Sequence, residues 1–537
     1  MAPSMASPPV STAPAPVLAA GPAQPDAGRD QTRRDRWVTA GIAAAVLAVY
    51  LRSLLPGVGY SGDTAKWQTL SLVGGVPHAT GYPLYVALVQ AFHTLVPIGN
   101  AAWRINLLSA LAAVAAVAVL YHLLRMLDLR WGVAAATALV FAFTPTFWTQ
   151  AVIAEVYSLH LLFLVSILAC LARWRLGGSN RWLLAGIGLL ALSFGHHLTT
   201  VLLLPSVLWL VWSDRHRAVT GRNALWAVLV AVLGASQYLY LLHMTEVGGY
   251  VESPVHDLAD LWGLVTGGPF KQDMWAFTAG ELVRDRIPLL WDFLRGEYRI
   301  LLVLPAVGLV RGLGRWTSGR RDSAIAVALL GLASAVYGLD YDVPDVIVFF
   351  LPLFLALAVF LGIGLDGAVA WVGDRLPAPP RVAAGVIAGA LIAMPLAAGL
   401  VGYRQASQRG AVSEEQRIER IVDGVGENAV ILTDDYDDSE YLWYFLIGQG
   451  LGPARHLVLV HAATVAQVQE YYSSGSGQVA SAVQRIVAGG GVDRPAVVTS
   501  SPAQADALRD AGLRVTDAAP GLWRVDPEGL SGHAANR

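Results

Sequence analysis

The chain has 537 residues, of which 55% are hydrophobic and 14% are charged, and its formal net charge at pH 7 is -2. Its mean hydropathy of +0.51 excludes a soluble globular protein, because the apolar runs recur at the length of about 20 residues that crosses a bilayer. Nucleic acid is excluded as a partner, since a nearly neutral chain offers no basic surface to neutralise phosphates.

The first segment, residues 1–36, is predicted to be disordered and cytoplasmic. Residues 1–28 are rich in Ala, Pro and Ser and lack a hydrophobic period, a composition that does not form a packed core. Arginines then precede the first apolar run, at 37–55. This run is long and has no convincing cleavage site of small residues, so it is predicted to be a retained transmembrane helix rather than a signal peptide.

Ten further apolar runs predict membrane spans, which makes eleven. They lie at 104–124, 131–148, 152–172, 182–194, 198–212, 223–243, 299–313, 323–339, 346–365 and 381–402. The pair within 182–212 forms either two short spans or one helix and a re-entrant piece. Cys170, the only cysteine, lies within one of these runs, which excludes disulfides and cysteine-based metal sites.

The charges of the loops predict the orientation. Arginines collect in alternate loops, whereas the short connections near 149–151, 195–197 and 340–345 contain neither Lys nor Arg. By the positive-inside rule, the arginine-rich loops and the N-terminus are cytoplasmic. We therefore expect a multi-pass protein of the plasma (inner) membrane, in which Asp63, the loop 244–298 and everything after the eleventh span lie outside.

The segment 403–537 changes character. It alternates short β-like runs with helical patterns, which predicts a small α/β domain. The predicted strands are Ala429–Thr433, His456–Val460, Ala496–Thr499 and Leu522–Val525, and the helical patterns include Ser413–Val422 and Ala503–Ala511. The predicted fold is therefore an all-α polytopic membrane bundle over 37–402, followed by this extracytoplasmic domain. The acidic run 434–438 ends the first predicted strand and is interpreted as a solvated loop.

Asp63 is the leading candidate for chemistry, because it follows the first span at the mouth of the membrane. A carboxylate at a dry boundary can have a raised pKa and can accept a proton from an attacking hydroxyl. Two structural alternatives together have the same weight as this catalytic role: Asp63 is a solvated loop residue, or it is the N-cap of a helix beginning at Thr64.

Glu155 and Tyr157 are predicted about one turn below the outer surface. A carboxylate at that depth costs about 1–3 kcal/mol unless it faces a cavity or a partner, so a functional role is favoured. His160 lies about one turn deeper and ranks lower.

The remaining candidates each have a structural alternative. His78 and Tyr82 belong to a turn entering a helix, and Arg104 can hold a lipid phosphate or reach to headgroups. His196 and His197 suit substrate hydrogen bonding better than metal binding, since adjacent side chains on a helix point apart. The carboxylates of Asp342 and Asp345 could serve a site, and they also suit the N-terminus of a helix. The full set of candidate binding residues is His78, Tyr82, Arg104, Asn106, Glu155, Tyr157, His196, His197, Asp342 and Asp345.

No glycine-rich phosphate loop, zinc spacing or nucleophile elbow is present. The sequence requires no cofactor, and it leaves a divalent metal open without supporting one. Soluble nucleotide-sugar and ATP chemistry are not indicated.

Taken in order over about 60–370, these motifs resemble the protein O-mannosyltransferase-like membrane family of the type C glycosyltransferases. The motifs are Gly62-Asp63; Pro77-His78 with Gly81-Tyr82-Pro83-Leu84; Arg104-Ile105-Asn106-Leu107-Leu108-Ser109; Phe147-Trp148 with Ala154-Glu155-Val156-Tyr157; Gly195-His196-His197-Leu198-Thr199; and Tyr341-Asp342 with Asp345 and Phe350-Leu351-Pro352.

The resemblance implies a polytopic bundle whose first outer loop carries a catalytic Asp. It implies a polyprenyl-phosphate sugar as donor, with mannose favoured, and a protein or glycan hydroxyl as acceptor. Asp63 would be the general base; His78, Arg104 and Glu155 would line the donor and acceptor cavity, with His197 and Asp342 opposite.

Three departures from the family pattern are visible. Lys66 stands where relatives commonly carry an acidic residue, Ala79-Thr80 replaces a pair of prolines, and His196 replaces an Asn. Two other functions stay open: a transporter or lipid flippase with the polar residues along its path, and an inactive relative that only binds glycan. Ionisable groups gathered at one face, without an internal repeat, favour the transferase over the transporter.

Overall fold

The computed structural model describes residues 25–60, 62–314, 316–375, 380–492 and 494–526. The helices of the membrane region are α1 (Pro25–Ser53), α2 (Thr64–Val73), α3 (Pro83–Leu95), α4 (Ala101–Met126), α5 (Trp131–Ala142), α6 (Pro145–Ala151), α7 (Tyr157–Arg175), α8 (Asn180–Phe194), α9 (Leu204–Ser213), α10 (Arg215–Ala218), α11 (Gly221–Ser236), α12 (Leu239–Val247), α13 (Leu258–Val265), α14 (Ala279–Glu281), α15 (Ile287–Tyr298), α16 (Val303–Gly314), α17 (Ser318–Leu339), α18 (Leu351–Arg375) and α19 (Pro380–Ala406).

Six of the described helical segments are long and apolar enough to cross a membrane. They are Ala101–Met126, Tyr157–Arg175, Gly221–Val247, Ser318–Leu339, Val346–Arg375 and Arg381–Ala406. A seventh span results if α5 and α6, which are bent by 70°, count as one broken span. The protein is therefore an integral membrane protein.

The predicted number of eleven spans is larger than the six or seven that meet this criterion. The runs at 182–194 and 198–212 form the shorter apolar helices Asn180–Phe194 and Leu198–Ser213. At 1.5 Å per residue, helices of this length fall short of a hydrocarbon layer about 30 Å thick. The run at 299–313 is likewise divided between a 3₁₀ turn and the 12-residue helix α16.

The first helix also begins earlier than the sequence predicts. α1 starts at Pro25, so residues 25–36 are helical rather than disordered. The rest of the predicted disordered segment, residues 1–24, lies outside the described residues. Tyr50 anchors this helix, since its buried hydroxyl donates to the carbonyl of Ala142 at 2.7 Å.

The C-terminal domain, residues 413–526, carries a five-stranded mixed sheet in the order β4-β3-β5-β7-β6. Strand β3 runs parallel to β4 and β5, while β7 is antiparallel to both β5 and β6. Two short strands of the membrane region, β1 and β2, pair in parallel. The elements are β1 (Gly75–Val76), β2 (Tyr250–Val251), α20 (Ser413–Val425), β3 (Ala429–Thr433), α21 (Tyr436–Trp443), α22 (Leu451–Arg455), β4 (Leu457–His461), α23 (Val465–Ser474), α24 (Gly477–Ala488), β5 (Ala496–Thr499), α25 (Pro502–Asp510), β6 (Arg514–Ala519) and β7 (Leu522–Asp526).

Both faces of the interior strand β3 are buried. Ala429 and Ile431 belong to one apolar cluster, and Val430 and Leu432 belong to another on the opposite face, as the alternation of a strand requires. A sheet covered on both faces accounts for the continuous apolar run in this strand. The predicted segment 403–537 thus contains a helix-covered sheet, and its residues 527–537 lie outside the described residues.

The C-terminal domain lies directly on the membrane bundle. The hydroxyl of Tyr441, on α21, donates to the carbonyl of Val58 at 2.9 Å. Gly448 lies so close to α2 that a Cβ atom there would come within 3.0 Å of Leu72. Helices α2 and α21 are therefore packed against each other, and this contact positions the candidate site.

Candidate active site

Asp63 sits immediately before α2, and its side chain does not cap that helix. Its Oδ1 atom accepts from the Lys66 ammonium at 3.0 Å and from the Tyr436 hydroxyl at 3.3 Å. Its Oδ2 atom lies 3.5 Å from Nε2 of His78, and 28% of the side chain is exposed. Asp63 therefore occupies the N-cap position of α2 without a capping hydrogen bond from its side chain, which is paired with Lys66 and remains partly exposed.

Glu155 lies directly behind Asp63. Its Oε1 atom accepts from the backbone N–H of Asp63 at 3.0 Å. The approach requires Gly62, whose φ is +57° and where a Cβ atom would come within 2.8 Å of the same oxygen. A glycine adopts this conformation at little cost, so it lets the Glu155 carboxylate hold the backbone of Asp63.

Lys66 lies one turn further along α2 and is completely buried. Its Nζ atom is 3.0 Å from Asp63, 3.0 Å from Glu252 and 3.1 Å from Glu440. It also contacts the Tyr436 hydroxyl at 2.7 Å and Nδ1 of His78 at 3.0 Å. We refer to Lys66, Asp63, His78, Glu252, Tyr436 and Glu440 as the Lys66 cluster.

Two distant parts of the chain complete this cluster. The pairing of β1 with β2 sets Glu252 beside the loop that follows Val76, where Glu252 accepts from the backbone N–H of His78 at 3.1 Å. Helix α21 delivers Tyr436 and Glu440, which are one helical turn apart and therefore share a face. A single ammonium thus holds together α2, the β1–β2 pair and the C-terminal domain.

The pKa values of the cluster follow from burial opposed by ion pairing. Burial raises the pKa of Asp63, but Lys66, then His78 and the hydrogen bonds outweigh it, and the result is about 2. Burial lowers the pKa of Lys66, but the three carboxylates hold it well above its usual value. Burial and the charge of Lys66 lower the pKa of His78. At neutral pH the site therefore contains an ionised Asp63, a charged Lys66 and a neutral His78.

Glu440 differs from the other two carboxyls of the cluster. Its side chain is 2% exposed, against 28% for Asp63 and 25% for Glu252. Burial raises its pKa, the charge of Lys66 opposes that rise, and the result is about 8. One ammonium cannot neutralise three carboxylates, so the most buried carboxyl retains its proton.

Replacing Glu440 with Gln should therefore remove a pH dependence of stability. A carboxyl whose pKa is raised on folding contributes its full stability below its unfolded pKa, and that contribution is lost as pH rises towards 8. The loss is on the order of several kcal/mol at most, since one pKa unit is about 1.4 kcal/mol. We expect the thermal midpoint of the wild type in nanodiscs to fall between pH 5 and 9 more than that of Glu440→Gln. Glu427→Gln, at an exposed site, is the control, and parallel curves for the wild type and Glu440→Gln would contradict the assignment.

An aromatic and imidazole row extends from the cluster into the bundle. The ring of Tyr82 lies edge-on to His78, with centroids 5.3 Å apart, and also to His197 at 5.5 Å. Tyr157 lies 5.7 Å from His197. His196 is further back, where its Nε2 atom contacts the carbonyl of Val156 at 3.0 Å. The structure thus brings the predicted residues Asp63, His78, Tyr82, Glu155, Tyr157 and His197 into one region.

Arg104 does not join this region. Its guanidinium donates to the carbonyls of His93, Ile98 and Gly99 at distances from 3.0 to 3.1 Å. These carbonyls belong to the end of α3 and to the loop after it. The last carbonyl groups of a helix have no hydrogen-bond partner within the helix. Arg104 fixes that loop with three of the five N–H donors of its guanidinium.

Asn106 has a supporting position. It is fully buried and its amide donates to the carbonyls of Leu55 and Gly57 at 3.0 Å each. It also accepts from Gln68 at 2.9 Å, so it holds the segment leading to Asp63 against α2 and α4.

The two outer aspartates lie on the turn before α18. The backbone N–H of Asp342 donates to the carbonyl of Asp273 at 2.9 Å, and the residue is exposed. Burial, and then the negative charge of Asp63, raise the pKa of Asp345. Asp345 is therefore within electrostatic reach of Asp63, whereas Asp342 makes its contact with Asp273 through its backbone.

Sequence reasoning missed four members of the cluster: Lys66, Glu252, Tyr436 and Glu440. The interpretation of 434–438 as a solvated loop is wrong for Asp438, which is 4% exposed and pairs with Arg417. One signal was available, because Lys66 is one of only two lysines in a chain that otherwise uses arginine. A compact ammonium with three donors fits between several carboxylates, and a planar guanidinium does not.

No group of three or more His, Cys, Asp or Glu that could hold a metal ion occurs in the part of the chain that the structure describes. The three carboxylates that converge at this end of the bundle surround Lys66 instead.

The fold is that of polytopic membrane glycosyltransferases. ArnT from Cupriavidus metallidurans bound to undecaprenyl phosphate matches with a TM-score of 0.57 at 13% identity, over 91% of this chain and 98% of that one. The oligosaccharyltransferase of Archaeoglobus fulgidus matches with a TM-score of 0.50 at 12% identity, over 85% of this chain and 67% of that one. At such identities the likeness is one of fold.

The sequence defines a narrower group. Residues 63–220 match the family model described as the Protein O-mannosyl-transferase TMEM260 N-terminal domain, which confirms the resemblance inferred from the motifs. The mouse protein O-mannosyl-transferase TMEM260 is 32% identical over 205 residues, 37% of this chain and 28% of the mouse protein. The Dictyostelium discoideum protein of that name is 23% identical over 218 residues, 36% of this chain and 26% of that protein. The chain thus spans little more than a quarter of the length of these relatives.

Proposed function

We propose that this chain is a membrane glycosyltransferase that moves a sugar, mannose, from a polyprenyl-phosphate donor to a hydroxyl of a protein or glycan acceptor. The transfer takes place on the extracytoplasmic side and inverts the anomeric configuration. The observation that carries the proposal is an ionised and partly exposed Asp63, with its Oδ2 atom directed away from Lys66, inside the segment that matches the O-mannosyltransferase domain.

The donor is proposed from two lines of support. The solved ArnT structure contains undecaprenyl phosphate, and its fold matches over nearly the whole of both chains. In the part that the structure describes, this chain has six or seven helices that are long and apolar enough to cross a membrane, which suits a donor whose lipid tail stays in the bilayer.

In the proposed reaction the acceptor oxygen attacks the anomeric carbon. The bond between that carbon and the phosphate oxygen breaks, and polyprenyl phosphate leaves with the electron pair. The proton of the hydroxyl passes to Oδ2 of Asp63. With a pKa of about 2, Asp63 is a weak base towards a free hydroxyl, so the proton moves late, after the attacking oxygen has gained positive charge.

His78 and Glu155 have supporting roles in this reaction. Because Nδ1 of His78 accepts from Lys66, the proton of the neutral ring is on Nε2, 3.5 Å from Oδ2 of Asp63. His78 therefore orients the oxygen that receives the proton. Glu155 holds the backbone of Asp63 from behind. The phosphate is not assigned to Arg104, because three of its N–H donors hold the loop after α3.

Lys66 does not make the site inactive. Its ammonium is shared among three carboxyl groups and contacts Asp63 at Oδ1, which leaves Oδ2 for substrate. This arrangement favours the transferase over a relative that only binds glycan.

The full chain in nanodiscs should label a protein or glycan acceptor when it is given polyprenyl-phosphate [¹⁴C]mannose. The acceptors are supplied by an envelope extract from cells that lack this protein. Nucleotide-linked mannose should give no label, and NMR of the product should show the anomer opposite to that of the donor. Lipid-linked glucose and arabinose test the identity of the sugar. Labelling only from a nucleotide sugar, or movement of donor across a bilayer without any transfer, would contradict the proposal.

A further inference from the structure

Two residues of the C-terminal domain contact the charged groups around the candidate base. The Tyr436 hydroxyl donates to Oδ1 of Asp63 at 3.3 Å and accepts from Nζ of Lys66 at 2.7 Å. Glu440 accepts from the backbone N–H of Lys66 at 3.2 Å, and its other oxygen lies 3.1 Å from Nζ. Both ends of Lys66, main chain and side chain, are therefore held by the same helix.

Helix α21 is itself held in place. Asp435 caps its first turn by accepting from the N–H of Asp438 at 2.9 Å. Tyr60 donates to the same Asp438 at 3.3 Å, and Tyr441 donates to Val58. The face that carries Tyr436 and Glu440 is therefore fixed relative to the segment that leads to Asp63.

A docking contact alone does not require these side chains. Apolar residues of similar volume would bury the same surface without placing a carboxyl in an interior where an unpaired charge is costly. Here the polar atoms meet the one cation that pairs with Asp63. The position of Lys66 therefore affects the reaction, because a shift of its ammonium would change the hydrogen bonding of Oδ1 of Asp63.

We propose that the C-terminal domain completes the catalytic centre, with Tyr436 and Glu440 acting as positioning residues that fix Lys66 and thereby the orientation and charge state of Asp63. The proposal rests on the function proposed above. The mechanism then belongs to the whole chain rather than to the membrane bundle, and neither residue lies in the segment 63–220 that the family model matches.

The titratable groups that face this centre come from every element packed around it. They are Asp63 and Lys66 at α2, His78 and Tyr82 on the following loop, Glu155 behind, Tyr250 and Glu252 at β2, and Tyr436 and Glu440 on α21. Burial raises the pKa of two carboxyls among them, that of Glu155 well above its usual value and that of Glu440 to about 8. Of these two, Glu440 contacts Lys66, and its ionisation draws Lys66 towards α21 and loosens the contact with Asp63.

Glu440→Gln and Tyr436→Phe, made in the full chain, test the proposal through kinetics. Tyr436→Phe should lower kcat about 10- to 100-fold, as a small misplacement of a reacting group does, with KM for the lipid donor unchanged. Glu440→Gln, which has the shape and the neutrality of the protonated carboxyl, should keep most of its turnover near pH 7. In the wild type kcat should fall as pH rises through 8, and Glu440→Gln should lose that fall. Glu427→Gln and Tyr471→Phe are the controls. Wild-type kcat with a wild-type pH profile in both variants would overturn the proposal.

A thermal double-mutant cycle tests the same coupling without an activity assay. The losses in midpoint for Lys66→Met and Glu440→Gln should not add in the double variant, whereas those for Lys66→Met and Glu427→Gln should add. Additive losses in the first pair would overturn the inference. If the wild type transfers no sugar, the proposed function fails, and this cycle still decides whether α21 acts on Lys66.

Discussion

Replacing Asp63 with Asn should lower kcat for sugar transfer by about 10²- to 10⁴-fold, the range over which positioned acids and bases contribute. The amide has the shape of the carboxylate, and its oxygen can still accept from Lys66 and Tyr436. It cannot take up the proton of the attacking hydroxyl. The fold should survive, because Glu252 and Glu440 still face the ammonium.

The measurement is kcat and KM for the lipid donor, with the thermal midpoint recorded alongside. KM should stay near the wild-type value, since Asp63 is assigned to the acceptor side of the reaction. Asp510→Asn, on the exposed end of α25, is the matched control. Wild-type turnover in Asp63→Asn with none in Glu155→Gln would make Glu155 the base, and normal turnover in both variants would remove the proposed mechanism.

Replacing Lys66 with Met should destabilise the protein by about 3–5 kcal/mol, the usual cost of removing one partner of a buried ion pair. Met has a similar length but no charge, so three carboxyl groups would face one another in a buried space. The pKa of Asp63 would rise, because Lys66 is its first charge partner. Transfer should be lost along with stability.

The thermal midpoint of the full chain in nanodiscs measures this loss. The deficit should shrink as pH falls and the carboxylates become protonated, and part of it should return in the double variant with Glu440→Gln. Lys66→Arg should not restore stability, because a completely buried site has no room for the larger guanidinium. Lys271→Met, which removes the exposed second lysine, should change stability by less than about 0.5 kcal/mol. An unchanged midpoint in Lys66→Met would show that the ion pairs contribute nothing net.

Local sequence patterns predicted several elements of the C-terminal domain, two of them with the bounds that the structure has. The strands predicted at Ala429–Thr433 and Ala496–Thr499 occur with those bounds, because short apolar runs between turn residues specify buried strands. Strand β6 was missed, since Arg514–Ala519 is largely polar and lies at the edge of the sheet. More spans were predicted than the described residues have helices long and apolar enough to cross a membrane, because an apolar run in the sequence does not fix the length of the helix that it forms.

The sequence predicted those residues of the candidate site that are close to one another in the chain or share a predicted depth in the membrane. Asp63, His78 and Glu155 were grouped because the topology places them at one end of the bundle. Glu440 is 374 residues from Lys66 along the chain, and no local pattern indicates such a contact. Arg104 was assigned to a ligand because the carbonyls that it satisfies belong to a loop whose path the sequence does not reveal.

The late position of α21 in the chain also sets an order of events during biosynthesis. In the proposed orientation, a nascent chain whose helices have inserted as far as α19 already contains Asp63 and Lys66, but residues 413–526 have still to cross the membrane. Until that segment folds, Lys66 lacks Tyr436 and Glu440, and Asp63 lacks one of its two hydrogen-bond donors at Oδ1. In the mechanism proposed above, lipid-linked sugar is therefore spared from copies in which this segment has not yet folded.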